Sequence, residues 1–291
     1  MYFAVLGDSS FIKRISRGKF MGVVHSVFER TINLEDQENG ELYTIGSRSL
    51  DNAPNTIIAD IHGFRQFGIQ PGMGVSTDGN AIHIEKLLSI SVENAAFWIS
   101  RLPVYPKDTA ILTGNVARLK SFIDTFGKAG GMKDDPNNAT LFGKEISRLL
   151  KERSKSLVME LSEGKIGPAI ESARGIIGLG PGLTPSGDDF LTGMLAAFSI
   201  QDSPAHTFSE FGRQVVEIAR PLTNVISWTA LQKASQGLVR ESTISLIQAV
   251  LYGNEDDLFK ALNEVLKIGS TSGTDMALGL AAGFEINLLY N

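Results

Sequence analysis

A chain of 291 residues with 43% apolar and 20% charged residues can bury one large core or two ordinary ones, and its composition excludes a disordered polymer. A formal net charge of −5 with no run of Lys and Arg argues against a nucleic-acid partner, and the absence of cysteine excludes disulfides and thiolate metal sites and fits a cytoplasmic protein. The longest weakly polar stretch, Phe190 to Ile200, is too short to span a bilayer, and the N-terminal MYFAVLGDSSFIKR lacks the basic lead and long apolar run of a signal peptide, so no membrane partner is expected.

Up to about residue 100 the chain reads mostly as strand. MGVVHSVFERTINLE alternates and is rich in Val, Phe and Ile. GELYTIG and NTIIADI are short β-type runs bounded by Gly, Asn and Pro. GVSTDGNAIHIE carries an Asp-Gly turn between two extended arms, which is a hairpin signal. Short strands at close spacing predict a barrel or a sandwich. A first helix is expected from Ser91 to about Leu102, before Pro103 and Pro106.

After Lys107 the period changes to 3.6. Leu112, Val116, Leu119, Ile123 and Phe126 form one stripe of an amphipathic helix that Gly127 or Gly130-Gly131 can end. MKDDPNN reads as a polar loop. Helices are then predicted near 141–161, 166–174, 189–200, 208–237 with Pro221 breaking or kinking it, 243–252, 256–267 and 275–289. The fold class expected is α+β: a β-rich N-terminal domain over 1–105 and an all-α domain over 106–291.

The stretch GLGPGLTPSGDDFLTG, Gly178 to Gly193, holds five glycines and two prolines in sixteen residues. It is not a Walker A loop, because Asp188 and Asp189 stand where Lys and Ser/Thr are needed to meet phosphate and Mg²⁺. It is not a Rossmann fingerprint either, because Leu183 occupies the third required glycine position and the preceding segment reads as helix. The block has an echo. PSGDDFLTGMLAAF from Pro185 aligns without gaps to TSGTDMALGLAAGF from Thr271, an offset of 86 residues that pairs Ser186 with Ser272, Gly187 with Gly273, Asp189 with Asp275 and Gly193 with Gly279.

Ser three residues before Asp predicts a capping box at the start of each helix, and the glycine one turn after each Asp permits close helix packing. Those two devices suffice for a purely architectural role. The same geometry also serves chemistry. Helix N-termini present unpaired N–H groups and partial positive charge, and glycine-rich turns let backbone amides converge. Two such starts facing each other would make an anion pocket. The acids then either hold Mg²⁺, with Asp188 and Asp189 as ligands, or accept hydrogen bonds from an amide or carbamoyl N–H. Arg174 is a candidate anion contact, against a solvated charge at its helix end. Thr223 and Ser227, four apart with Asn224 beside them, either line a pocket or bond back to their own helix. His25, His62, His83 and His206 show no metal spacing and read as structural, and no convincing Ser/His/Asp set is visible.

GLGPGLTPSGDDFLTG, then Thr223, Ser227 and Leu231 with Ala234 and Gly237, then IGSTSGTDMALGL, resemble the AllH/YlbF-like family, once a domain of unknown function and later assigned as an oxamate carbamoyltransferase subunit. VFERTINLE and APNTIIAD resemble its strand segments, so the likeness covers most of the chain. The resemblance implies a carbamoyltransferase of anaerobic allantoin and purine catabolism, in which oxalurate and phosphate yield oxamate and carbamoyl phosphate. It also implies partner subunits, one of them CoA-ligase-like. By position, Gly180, Gly182, Thr184, Ser186, Gly187, Asp188 and Asp189 match the first block, and Ser272, Gly273 and Asp275 match the second. Ser270 is a departure, because the family pattern has His there. Two other readings stand beside this one: a non-catalytic ligand-binding or scaffold subunit, and a stand-alone Mg²⁺-dependent enzyme acting on a phosphorylated small molecule.

Overall fold

The computed structural model describes residues 1–18, 20–135 and 140–291. The chain divides into two compact units, Met1–Ser100 and Arg101–Asn291. The class is α+β, a β-barrel followed by a helical region.

The first unit is built from β1 (Tyr2–Asp8), α1 (Ser9–Ser16), β2 (Met21–Val27), β3 (Thr31–Asp36), β4 (Leu42–Gly46), β5 (Thr56–Ala59), β6 (Gly74–Thr77), β7 (Ala81–Ile84), β8 (Leu88–Ser91) and β9 (Ala96–Trp98). The strands pair in the order β5-β4-β3-β2-β6-β7-β8-β1, and β1 also pairs with β5, so eight strands close on themselves. The β4–β5, β1–β8 and β1–β9 pairs are parallel, whereas the remaining ladders are antiparallel. Closure removes the exposed sheet edge that a half-polar strand set would otherwise present. The interior is filled by Val24, Ile32, Leu34, Ile45, Ile57, Ile82, Ile84 and Ile90, all nearly inaccessible.

Two features differ from the sequence expectation. The helix expected from Ser91 to Leu102 is absent: Ser91 ends β8, and Ala96–Trp98 forms β9 along β1, with Gly7 opposite Phe97 and Asp8 opposite Trp98. Aromatic residues suit a pleated surface, and a free stretch of β1 was there to be paired. The helix of this unit is instead α1. Asp8 caps it by accepting from Ser10 N at 2.8 Å, and Phe11, Ile12 and Ile15 turn one apolar face inward. Phe11 packs on Phe20 and Tyr43 with ring centroids 5.7 and 4.5 Å away.

The second unit holds α2 (Ala110–Phe126), α3 (Leu141–Ser162), α4 (Ile166–Arg174), α5 (Ser186–Phe198), α6 (Ser209–Ala219), α7 (Val225–Ser235), α8 (Glu241–Tyr252), α9 (Glu255–Leu266) and α10 (Ser272–Leu289). The helical stretch read over 208–237 breaks near Pro221 into two helices, because Pro221 cannot continue α6 and Asn224 caps α7 by accepting from Ile226 and Ser227 N. The polar loop read at MKDDPNN is irregular over Met132–Asp135, and its last three residues lie outside the described ones.

Every residue of α5 is buried, and α10 is its principal neighbour. A helix that is buried all round belongs at the centre of a bundle. The two axes come close because a Cβ on Gly193 would run into Met276 O, and one on Gly279 would run into Phe190 O. These contacts are reciprocal at the same offset of 86 residues that relates the two sequence blocks, Phe190 to Met276 and Gly193 to Gly279. The echo is thus a local two-fold: each helix presents the same patch to the other, as across an isologous interface. Among the described residues no helix is long and apolar enough to cross a membrane.

Candidate functional site

Because α5 and α10 pair through this two-fold, their N-termini lie side by side. The capping boxes expected at Ser186 and Ser272 do not form. Pro185 and Thr271 are the cap residues, neither helix has a side-chain cap bond, and both serines already sit in the first turn. Across the two-fold, each Ser/Asp pair is used on the opposite helix. Ser272 of α10 lies beside Asp189 of α5, linked to it through Thr184, and Ser186 of α5 lies beside Asp275 of α10.

The two halves of the cluster face different surroundings. On one side, Thr184 Oγ1 donates to Asp189 Oδ2 at 3.0 Å and contacts Ser272 Oγ at 2.9 Å, with Thr184 and Ser272 half-buried and Asp189 beneath them. On the other side, the loop after α2 covers the cluster. Met132 N donates to Asp275 Oδ1 at 2.7 Å, and Lys128 N donates to Thr274 Oγ1 at 2.8 Å. Gly131 closes against both Asp275 and Ser186, where a side chain would collide. Asp275 Oδ2 and Ser186 Oγ are fully buried there without a hydrogen-bond partner.

Asp188 has a separate job. Its Oδ1 accepts from Gly178 N at 2.8 Å and its Oδ2 from Thr223 Oγ1 at 2.5 Å, so it ties the glycine-rich loop to the start of α7. Thr274, its counterpart at the 86-residue offset, accepts from a loop amide in the same way. Asn224 adds a second tie, Nδ2 to Leu183 O at 2.8 Å. Ser227 is buried in the first turn of α7 with its hydroxyl unpartnered. Thr223 therefore faces the loop, and Asn224 does both, capping its own helix through Oδ1 and tying the loop through Nδ2.

The loop runs through positive φ at Gly178 (72°), Gly180 (126°) and Gly182 (96°), a conformation that residues with a Cβ rarely adopt. Among the described residues the amides of Gly180, Gly182, Leu183 and Thr184 have no hydrogen-bond partner. Gly187 N is spent on Leu179 O at 2.9 Å. Gly187 and its counterpart Gly273 each press on a backbone carbonyl, Ile176 O and Val265 O.

Asp188, Asp189 and Asp275 are at most 6% exposed, and no cation pairs with any of them among the described residues. Burial therefore pushes all three carboxyls upward. Asp189 goes to about 7: burial dominates, the Ser272 and Thr184 hydroxyls oppose it, and the charges of Asp275 and Asp188 add to it. The positive ends of two helix dipoles are the compensation the fold supplies.

A Mg²⁺ site at Asp188 and Asp189 does not fit this arrangement. The two carboxylates turn to different partners, Asp188 to Gly178 N and Thr223 Oγ1 and Asp189 to Thr184 Oγ1. Arg174 pairs with Glu171 at 3.4 Å on an exposed face of α4.

Sequence reasoning missed the loop of Lys128, Gly131 and Met132; Gly130-Gly131 was legible there only as a helix stop. It also missed a hydrogen-bonded Ser89–His83–Asp78 chain on the barrel. His83 Nδ1 meets Ser89 Oγ at 2.9 Å and Nε2 meets Asp78 Oδ2 at 3.0 Å. His83 and Ser89 are cross-strand partners, and Asp78 accepts Asn80 N and Ala81 N in the hairpin turn, which with His83 holds its carboxyl at about 2. The chain staples the hairpin, a structural use of this histidine.

Residues 176–284 match the family described as oxamate carbamoyltransferase subunit AllH, and residues 3–97 match the AllH family N-terminal domain. The chain belongs to the AllH family. The family's main match opens at the glycine-rich loop and closes at Phe284, the last residue of the second block, so the loop, both helix starts and the packing glycines lie within the segment that defines it. The barrel is the family's N-terminal domain, with Trp98 ending β9 one residue past the match. No solved structure matches the chain.

Proposed function

We propose that this chain supplies an anion and carbamoyl site to an oxamate carbamoyltransferase complex. The complex turns oxalurate and phosphate into oxamate and carbamoyl phosphate, in the cytoplasm, as a step of anaerobic allantoin and purine catabolism with other subunits as partners. The observation that carries this reading is the meeting of the two S-G-x-D helix starts, with the free amides of Gly180, Gly182, Leu183 and Thr184 beside them. The amides and helix dipoles suit phosphate oxygens. The Thr184 and Ser272 hydroxyls, with Asp189 beneath them, suit the N–H and C=O groups of a carbamoyl unit. Ser186, Gly187, Gly273 and Asp275 back this surface, Asp188 with Thr223 and Asn224 holds the loop to α7, and Ser227 is buried in the first turn of that helix. Rate acceleration comes from positioning and from fixed dipoles at the developing charge.

A scaffold reading is favoured by the full engagement of Asp188 and by the packing roles of Gly193 and Gly279. Turnover of the assembled complex separates the two readings. Asp189→Asn is expected to cost at least about a hundredfold in kcat, the scale for losing a preorganised polar group. Asp188→Asn is expected to raise KM by loosening the loop. Normal turnover in both variants would leave the motif as architecture.

A further inference from the structure

Asp188, Asp189 and Asp275 form a buried set of three carboxyl groups whose surroundings supply dipoles and no cation. The elements packed around them carry many charged groups, among them Lys128 and Lys133 of the loop after α2 and Arg153 of α3. Lys128 Nζ goes to Gly269 O, Lys133 Nζ to the carbonyls of Ile123, Asp124 and Gly127, and Arg153 to Gly175 O. None of them pairs with a carboxylate of the set. Burying three negative charges without a counter-charge is far more costly than keeping a proton. Asp188 accepts two strong hydrogen bonds, which favours its ionised form. The proton therefore belongs to Asp189 or Asp275, which lie at equivalent positions across the two-fold.

The two differ in access. Asp275 is sealed beneath Gly131 and Met132. Asp189 is joined to the half-buried mouth by Thr184 and Ser272, two hydroxyls 2.9 Å apart that can each pass a proton by exchanging donor and acceptor roles.

We infer that Asp189 stores the proton that the carbamoyl transfer delivers to its leaving nitrogen, and that the Thr184–Ser272 hydroxyl pair carries it. This rests on the proposed function above. The phosphate oxygen forms the new bond to the carbamoyl carbon, and the bond from that carbon to the oxamate nitrogen breaks. The nitrogen keeps the electron pair and takes the proton from the hydroxyl pair, which Asp189 replenishes. Hydrogen phosphate gives up its own proton in forming carbamoyl phosphate, and that proton returns to Asp189, so the residue ends as it began. Asp189 acts here through the hydroxyls, as a proton-storing group.

Infrared difference spectra of the intact chain test the storage directly. A carboxylic-acid carbonyl band is expected at pH 6, fading above neutrality, absent in Asp189→Asn and retained in Thr184→Val. In the assembled complex, kcat/KM of the wild type is expected to fall on the alkaline side. Asp189→Glu should keep turnover with a displaced alkaline limb, and Thr184→Val should lower kcat about a hundredfold, a larger effect than its roughly tenfold cost in binding. Absence of the band in the wild type, or its survival in Asp189→Asn, overturns the assignment and leaves the anion pocket standing. Normal turnover in Asp189→Asn alone also overturns the proton-storage assignment, and normal turnover in Asp188→Asn as well overturns the proposed function.

Discussion

Asp189→Asn is expected to stabilise the chain at pH 8 and to leave it nearly unchanged at pH 4. The carboxyl titrates at about 7 in the folded chain against 3.8 for the unperturbed group. Between those values the native state binds a proton that the unfolded state has released. Stability therefore falls as pH rises through that window. The full penalty is in place above the folded value, and a shift of about three units corresponds to about 4 kcal/mol. Chemical unfolding from pH 4 to pH 8 reads this as a falling midpoint in the wild type and a much flatter profile in the variant. Parallel profiles would mean that Asp189 is ionised in the folded chain.

Gly279→Val is expected to prevent the helical unit from forming its core. The added side chain would occupy the space of Phe190 O and crowd Met194 N, both backbone atoms of a helix that is buried all round. Backbone cannot move aside as the end of a flexible side chain can. The cost is expected at or beyond the roughly 1–3 kcal/mol of ordinary overpacking, enough to consume a large part of a domain's stability. Gly193→Val should do the same through Met276 O, because the two glycines are related by the local two-fold. Amide hydrogen exchange across α5 and α10 measures it: protection should be lost in both helices together. Full protection in either variant would mean that the helices do not approach as described.

Part of this was legible in the sequence. The 86-residue echo marked the two helices that pair, and the glycine one turn after each Asp marked where they touch. The 3.6-residue periods marked the helices around them. Other features lay beyond local pattern. Ser and Asp three apart have the spacing of a capping box, but each pair faces the opposite helix instead of capping its own, and only the three-dimensional pairing decides between these uses. The loop of Lys128 and Met132 contributes backbone N–H groups, which every residue but proline carries, so no side-chain signature announces it. β9 was misread as helix because three residues carry little periodicity and their partner, β1, is some ninety positions upstream. α1 is one amphipathic stretch of eight residues whose cap, Asp8, is also the last residue of β1.

The claim that the two blocks form one site is tested most directly by calorimetric titration of the chain with carbamoyl phosphate. A single binding event is expected for the wild type, weakened about tenfold by Thr184→Val in the first block and about tenfold by Ser272→Ala in the second, with the double variant losing less than the sum of the two. If Ser272→Ala binds as tightly as the wild type, or the two losses simply add, the blocks are separate and the shared site is contradicted.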